Sequence, residues 1–244
     1  MKRKLLLSII LLSLFTVTIA QDIVSVKMYK TQFYKTSLFK ATIVPALFIG
    51  WGLSTIHEHG LYSSYDAYND IYKLHFKGTH LDNYLQYAPY VELIGLNLLS
   101  IRGKSDFINM ALLIAKSELI MNVSVFTLKH VTHELRPDSS NTHSFPSGHS
   151  ANVFLAASLV HQEFKHKSIW YGVGAYTIAT SVGVLRMLNN KHWESDVFVG
   201  AGIGILSVNL TYLTHKYRWG KKPNIVLMPS YNKGAMGLCL IKTI

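Results

Sequence analysis

Six apolar runs leave this chain few folds to choose from. They cover residues 41–56, 87–101, 107–128, 151–160, 169–185 and 197–213, and four of the six contain no charged residue. Runs of this length, separated by short polar stretches, read as helices. The expected architecture is therefore all-α, a bundle of six principal helices. Some of the runs approach the ~20 apolar residues that a bilayer-spanning helix needs, and others fall short, so the pattern permits membrane insertion without dictating it. At 244 residues the chain is one domain with room for a small appendage. Hydrophobic residues make up 49% and charged residues only 15%, which is apolar for a soluble protein.

The polar chemistry is concentrated in two stretches. The first, residues 129–150, reads Lys-His-Val-Thr-His-Glu-Leu-Arg-Pro, a polar linker, then His-Ser-Phe-Pro-Ser-Gly-His-Ser. Two cations, Lys129 and Arg136, precede Pro146-Ser147-Gly148-His149, and an uncharged helical run follows. Ser147 can cap that helix, Gly148 lets backbone approach a ligand, and His149 falls in the first turn. There the free N–H groups and the helix dipole favour an anion. The second stretch places Arg186, His192 and Asp196 in Leu-Arg-Met-Leu-Asn-Asn-Lys-His-Trp-Glu-Ser-Asp. An i,i+4 spacing brings the Asp196 carboxylate to the His192 ring. A carboxylate on one ring nitrogen fixes the tautomer and frees the other nitrogen as nucleophile or base.

Lys129 with Arg136-Pro137, the Pro146–His149 block, and the Arg186, His192, Asp196 set together resemble the three signature motifs of the type-2 phosphatidic acid phosphatase superfamily. That superfamily also contains bacterial acid phosphatases and vanadium haloperoxidases. The motifs occur in the family's order; the one departure is Leu185, where serine is common. The resemblance implies a six-helix bundle of the acid phosphatase/haloperoxidase type. It implies a phosphatase acting on phosphate monoesters or pyrophosphates of membrane lipids, such as phosphatidic acid, a prenyl pyrophosphate or lipid A, through a phosphohistidine. In that scheme His192 is the nucleophile, Asp196 orients it, and His149 protonates the leaving oxygen. Lys129, Arg136, Ser147, Gly148 and Arg186 hold the phosphate oxygens. No metal or other cofactor is implied, although vanadate could occupy the same cradle. A soluble periplasmic acid phosphatase of broad specificity is the alternative, and a vanadium-dependent haloperoxidase a third reading that the chain's length argues against.

Other chemistries fit less well. His130, His133 and His143 lack regular metal-ligand spacing, and His133-Glu134 lacks the second histidine of a metallopeptidase helix. Ser147 is not in a Gly-x-Ser-x-Gly elbow. The formal charge of +11 suits anionic partners, yet no aromatic-basic interleaving marks a nucleic-acid surface. A phosphorylated lipid or small ester, and a membrane surface, are the expected partners. The single cysteine, Cys239, excludes an internal disulfide framework.

The two ends differ from the middle. Residues 1–20 begin with Lys2, Arg3 and Lys4 before an apolar stretch, and read as a signal peptide or an N-terminal anchor. The helical phosphatase domain is expected over 21–222, and 223–244 as an appended C-terminal β-hairpin with a turn-rich centre. Basic residues at 27–40, 102–104, 165–167 and 216–222 would share one face and the motifs the other. That arrangement places the chain in the bacterial cell envelope, either in the inner membrane with its site facing the periplasm or as a soluble periplasmic bundle.

Overall fold

The computed structural model describes residues 33–56, 58, 60 and 62–216, and the backbone of 225–232 and 235–242. The expected signal or anchor at 1–20 and the basic residues at 216–222, Lys216 apart, lie outside the described residues. The chain divides into two units, Met1–Thr36 and Ser37–Ile244. Of the first, a single 3-10 turn, Phe33–Lys35, is described.

The second unit holds eight α-helices among the described residues: α1 Ser37–Ser54, α2 Ser64–Tyr72, α3 Leu81–Leu85, α4 Ala88–Leu98, α5 Phe107–Thr132, α6 Gly148–Phe164, α7 Ile169–Leu188 and α8 Glu194–Thr214. Each of the six apolar runs coincides with a helix. The count exceeds six because α2 and α3 form in the polar, tyrosine-rich segment before residue 87. Their starts are local chemistry: Ser63 and Asp66 form a reciprocal capping box on α2, which satisfies two orphan donors at once. Strands β1 Ile225–Asn232 and β2 Ala235–Lys242 pair antiparallel, with Ile225 opposite Lys242 and Asn232 opposite Ala235.

α6 is the centre of the bundle. Ala151, Val153, Leu155, Ala156, Ala157 and Val160 are all fully buried, so apolar residues face inward on every side. α6 packs on α7 and α8, and α8 in turn packs on α1. The α6–α8 contact is backbone to backbone. A Cβ on Gly200 would lie 2.5 Å from the Ser147 carbonyl oxygen, and one on Gly204 would lie 2.2 Å from that of Ala151. Both distances are far inside van der Waals contact, so only glycine permits this approach, as in small-xxx-small helix pairs.

The outer helices carry the opposite signature. α1 buries only Pro45 and Gly52, while Leu38, Val44, Leu47 and Leu53 are exposed; on α5, Leu119, Val123 and Phe126 are exposed as well. By length and composition, α1, α5 and α8 are each long and apolar enough to cross a membrane.

Candidate active site

The site forms where the C-terminal ends of α5 and α7 meet the N-terminal ends of α6 and α8. Each end stops for a visible reason. α5 terminates at His133 in the left-handed conformation (φ 50°), its N–H bonded to the Lys129 carbonyl. α7 gives way at Asn189, and Asn190 (φ 55°) turns the chain sharply, a conformation asparagine tolerates better than most residues. That turn brings His192 back over Arg186, the Lys191 N–H bonding the Arg186 carbonyl at 3.0 Å. Ser147 caps α6 by accepting from the Ser150 N–H at 3.3 Å.

A cavity of about 610 Å³ opens at this junction. Its walls include Lys129, Arg136, Gly148, His149, Arg186 and His192, so six of the eight sequence-predicted residues converge on one space. The other two stand behind it. Asp196 is fully buried and accepts the Nδ1–H of His192 at 3.2 Å and the Trp193 N–H at 2.9 Å. Ser147, also fully buried, has its hydroxyl engaged by Ser150 Oγ at 3.0 Å; it is a helix cap and does not line the cavity. Its N–H bonds the Asp196 carbonyl at 3.0 Å, which ties the two motifs together.

Positive charge in the cavity is only partly compensated. The Lys129 ammonium donates to the carbonyls of His143 at 2.6 Å and Ser144 at 3.2 Å, which leaves one of its three hydrogens. Arg186 Nη1 donates to Asp82 at 2.6 Å. The Nε groups of Arg136 and Arg186 are buried with no partner among the described residues. Buried polar groups are nearly always satisfied, so two orphaned guanidinium donors beside one cavity mark a place for an oxyanion. The same cations act on the histidines. Burial, followed by Arg186, lowers His149 to about 4, with Arg136 and Lys129 adding to the shift and Asp82 opposing it. Burial, then Arg186, Lys129 and Arg136, holds His192 well below its ordinary value. Both rings are therefore held toward the neutral form, in which His192 Nε2 keeps its lone pair.

A profile of the PAP2 superfamily matches residues 107–220. The lipid A 1-phosphatase of Porphyromonas gingivalis is 35% identical over 155 residues, which cover 61% of this chain and 35% of that protein. Phosphatidylglycerophosphatase B of Bacillus subtilis is 33% identical over 141 residues, 52% of this chain and 67% of that protein. The chain belongs to the PAP2 superfamily. It spans about a third of the first relative's length and two thirds of the second's. Among solved structures it is similar to Aquifex aeolicus LpxE, at 22% identity and a TM-score of 0.49, over 65% of this chain and 99% of that one.

This PAP2 site contains residues that the motifs do not announce. Asp82 is buried against Arg186 and also accepts from Asn189 Nδ2 at 3.2 Å. Asn83, next to it, places its Oδ1 2.9 Å from His149 Nε2. Asn189 holds both faces of Thr79, accepting its N–H at 2.9 Å and donating to its carbonyl at 2.8 Å. Residues 78–83 thus form a strap across the cavity, anchored at the end of α7. On the far side, Ser144 Oγ donates to Asp196 Oδ2 and lies 3.5 Å from His192 Nδ1. The only sequence signal for the strap was an acidic residue, Asp82, in a segment that carries three other acids. Nothing marked Ser144 beyond its place beside the second motif.

Three histidines near the motifs take no part in the wall. The ring of His143 lies 5.3 Å from His130 and 6.1 Å from His133, centre to centre. Among the described residues no cluster of His, Cys, Asp or Glu side chains is arranged to hold a metal ion. Trp193 is a wedge: it packs against Tyr65 and Tyr68 with tilted rings, centroids 4.8 and 5.3 Å away, and its indole N–H donates to the Leu135 carbonyl at 2.7 Å.

Proposed function

We propose that this protein hydrolyses the terminal phosphate of a membrane lipid through a phosphohistidine intermediate. The observation that carries the reading is the convergence of three cations, two with orphaned Nε–H groups, on a cavity shared by His149 and the Asp196-bound His192. Phosphoryl transfer asks a protein mainly for charge neutralisation on the equatorial oxygens and for in-line positioning. Arg136 and Arg186 supply planar donor forks, Lys129 a point charge, and Gly148 a backbone N–H at a helix N-terminus. His149 takes up a proton from solvent once the substrate's negative charge offsets the cations. His192 Nε2 attacks phosphorus as the ester P–O bond breaks, and the His149 imidazolium gives that proton to the departing oxygen. Water then attacks the phosphohistidine, His149 takes up that water's proton, and phosphate leaves.

The membrane reading rests on distribution. α1, α5 and α8 have the length and composition of spans, and the leucines, valines and Phe126 of α1 and α5 are exposed among the described residues. Arg102, Lys104, Lys165 and Lys167 lie at the end of the bundle away from the cavity, where the Lys104 N–H bonds the Glu163 carbonyl at 3.0 Å. Basic residues gather on the cytoplasmic side of membrane proteins, so the catalytic end faces outward, in the envelope. In this arrangement 1–20 is a leader or first anchor, 21–222 the phosphatase domain and 223–244 a hairpin appendage. Lipid A and phosphatidylglycerol phosphate, which the names of the two relatives point to, are the first substrates to try, alongside phosphatidic acid and a prenyl pyrophosphate.

The test is phosphate release by the full chain in detergent, from that lipid panel and from water-soluble esters. Lipid phosphates should be preferred, and labelled substrate should leave an acid-labile phosphohistidine that vanishes in His192→Ala. A His192→Ala protein with full activity would overturn the mechanism. Activity confined to small esters would favour a broad-specificity acid phosphatase instead.

A further inference from the structure

Asn83 faces His149 from α3. α3 is short, yet its consecutive residues reach two parts of the site: Asp82 goes to Arg186 at 2.6 Å, and Asn83 Oδ1 goes to His149 Nε2 at 2.9 Å. Asn83 is itself held from behind. Its backbone carbonyl accepts from Gln86 Nε2 at 3.0 Å, and Gln86 Oε1 accepts from Asn152 Nδ2, one turn along α6 from His149, at 3.3 Å. A chain of amides therefore runs from α6 through α3 and back to the first turn of α6.

We propose that Asn83 is a positioning residue for the general acid: its amide oxygen holds the Nε2–H of His149, fixing the ring's tautomer and leaving Nδ1 as the nitrogen that carries the proton to the leaving oxygen. This deepens, and rests on, the reading of His149 as that acid. The chemistry requires such a partner. Neutral imidazole has one N–H, and an unheld ring would share it between two nitrogens and two orientations. Among the described residues, the charged and titratable groups that act on His149 do so through space: Arg186 from α7, Lys129 from α5, Arg136 and His192 from the loops, and Asp82 from α3; His80 and Lys191 line the same cavity. Burial, and then the three cations, hold the ring toward its neutral form. A phosphate dianion entering the cradle offsets the cations, so that Nδ1 takes up a proton from solvent while Nε2 stays on Asn83. An amide suits this position better than a carboxylate. It orients the ring without adding a charge that would protonate His149 before substrate arrives or weaken the cationic cradle.

The experiment compares Asn83→Leu, Asn83→Asp and His149→Gln in the full chain. Each is assayed across pH on an alkyl phosphate and on a nitrophenyl phosphate carrying the same chain in the same micelles. An alkoxide needs a proton to leave and nitrophenolate does not, so in kcat/KM, which reports the steps through ester cleavage, a residue acting through the acid should matter only for the first. Asn83→Leu should lower kcat/KM on the alkyl ester by ~10²-fold, the lower end of what a positioned acid contributes. Its kcat/KM should stay within about threefold on the aryl ester, with vanadate inhibition little changed, because the oxygens are held by Lys129, Arg136 and Arg186. Asn83→Asp puts a negative charge beside Nε2 and favours imidazolium. The limb where activity falls with rising pH should therefore move up by about 1–2 units. Equal losses on both esters with an unmoved limb would overturn the proposal. If His149→Gln itself loses equally on both esters, the acid role of His149 fails, and that outcome is distinct from failure at Asn83 alone.

Discussion

Two carboxylates are sealed inside this bundle at opposite ends, and they do different work. Glu163, near the C-terminal end of α6, is almost fully buried. It accepts the Ser105 N–H at 2.7 Å, the Ser105 hydroxyl at 2.8 Å and the Tyr212 hydroxyl. Asp196, at the start of α8, accepts from His192, Trp193 and Ser144, yet its Oδ1 has no partner among the described residues. The two lie about 22 Å apart along α6, at 1.5 Å per residue from Gly148 to Glu163. Around Glu163 the neighbours are neutral donors and the shell is closed. Around Asp196 stand a histidine, three cations and orphaned N–H groups. A buried acid becomes a functional group through what its neighbours leave unfinished, and burial alone does not distinguish the two.

The largest effect that separates the ends belongs to His192, the proposed nucleophile. His192→Ala should lower kcat by ~10⁴-fold or more, the range seen when a covalent nucleophile is removed, while thermal unfolding in detergent stays cooperative. Asp196→Asn should follow with a loss of ~10²–10⁴-fold in kcat at similar KM, because an amide no longer enforces the Nδ1–H tautomer. A drop in KM alone would remove the orienting role.

Smaller effects appear as stability. Asp82→Ala leaves Arg186 buried without its counter-charge, which should destabilise the protein by about 3–5 kcal/mol. Vanadate should restore part of this by binding the folded form, and a thermal shift measured with and without vanadate checks both statements. Glu163→Gln should reduce stability by about 1–3 kcal/mol through imperfectly paired polar groups and leave kcat and KM within twofold at a permissive temperature. A kinetic defect there would mean that the far end communicates with the site.

The smallest effect is a pH dependence, to which His161, farther along α6, adds in the same direction and to which His149 and His192 contribute at the catalytic end. Both histidines are held below their ordinary value near 6.5, His149 to about 4, so the fold prefers them neutral. As pH falls below 6.5 the unfolded chain binds protons that the folded chain refuses. The stability present above that pH is then lost on acidification toward 4. Unfolding midpoints measured from pH 7 to 5 should fall in the free protein and fall less with vanadate bound; the reverse order would put the proton uptake elsewhere.

The helices and the motif residues were legible because both are written at short range. Apolar runs of helical length gave α1 and α4 to α8, and i,i+4 spacing gave the His192–Asp196 pair. Asp82 and Asn83 were not legible, since their partners, Arg186 and His149, lie 104 and 66 residues away and no periodicity links positions across a loop. Ser147 shows the other limit: a motif serine was readable as a cap and as a phosphate contact, and only packing against Ser150 separates the two. The helix count was undercounted for a related reason, because α2 and α3 are polar, and a capping box or a strap anchor stabilises them more than an apolar stripe does.

The glycine contact between α6 and α8 has a consequence for how such an enzyme can diversify. Because Gly200 and Gly204 press the two backbones together, and the Ser147 N–H is bonded to the Asp196 carbonyl, His149 and His192, the proposed acid and nucleophile, are mounted on what is mechanically one part. Bulk added at that seam would pry the reacting groups apart. Within the strap Asp82 and Asn83 are tied to Arg186 and His149, whereas Gly78 and His80 border the same chamber without those ties, so substitutions there can change which headgroup enters while the proposed chemistry stays in register.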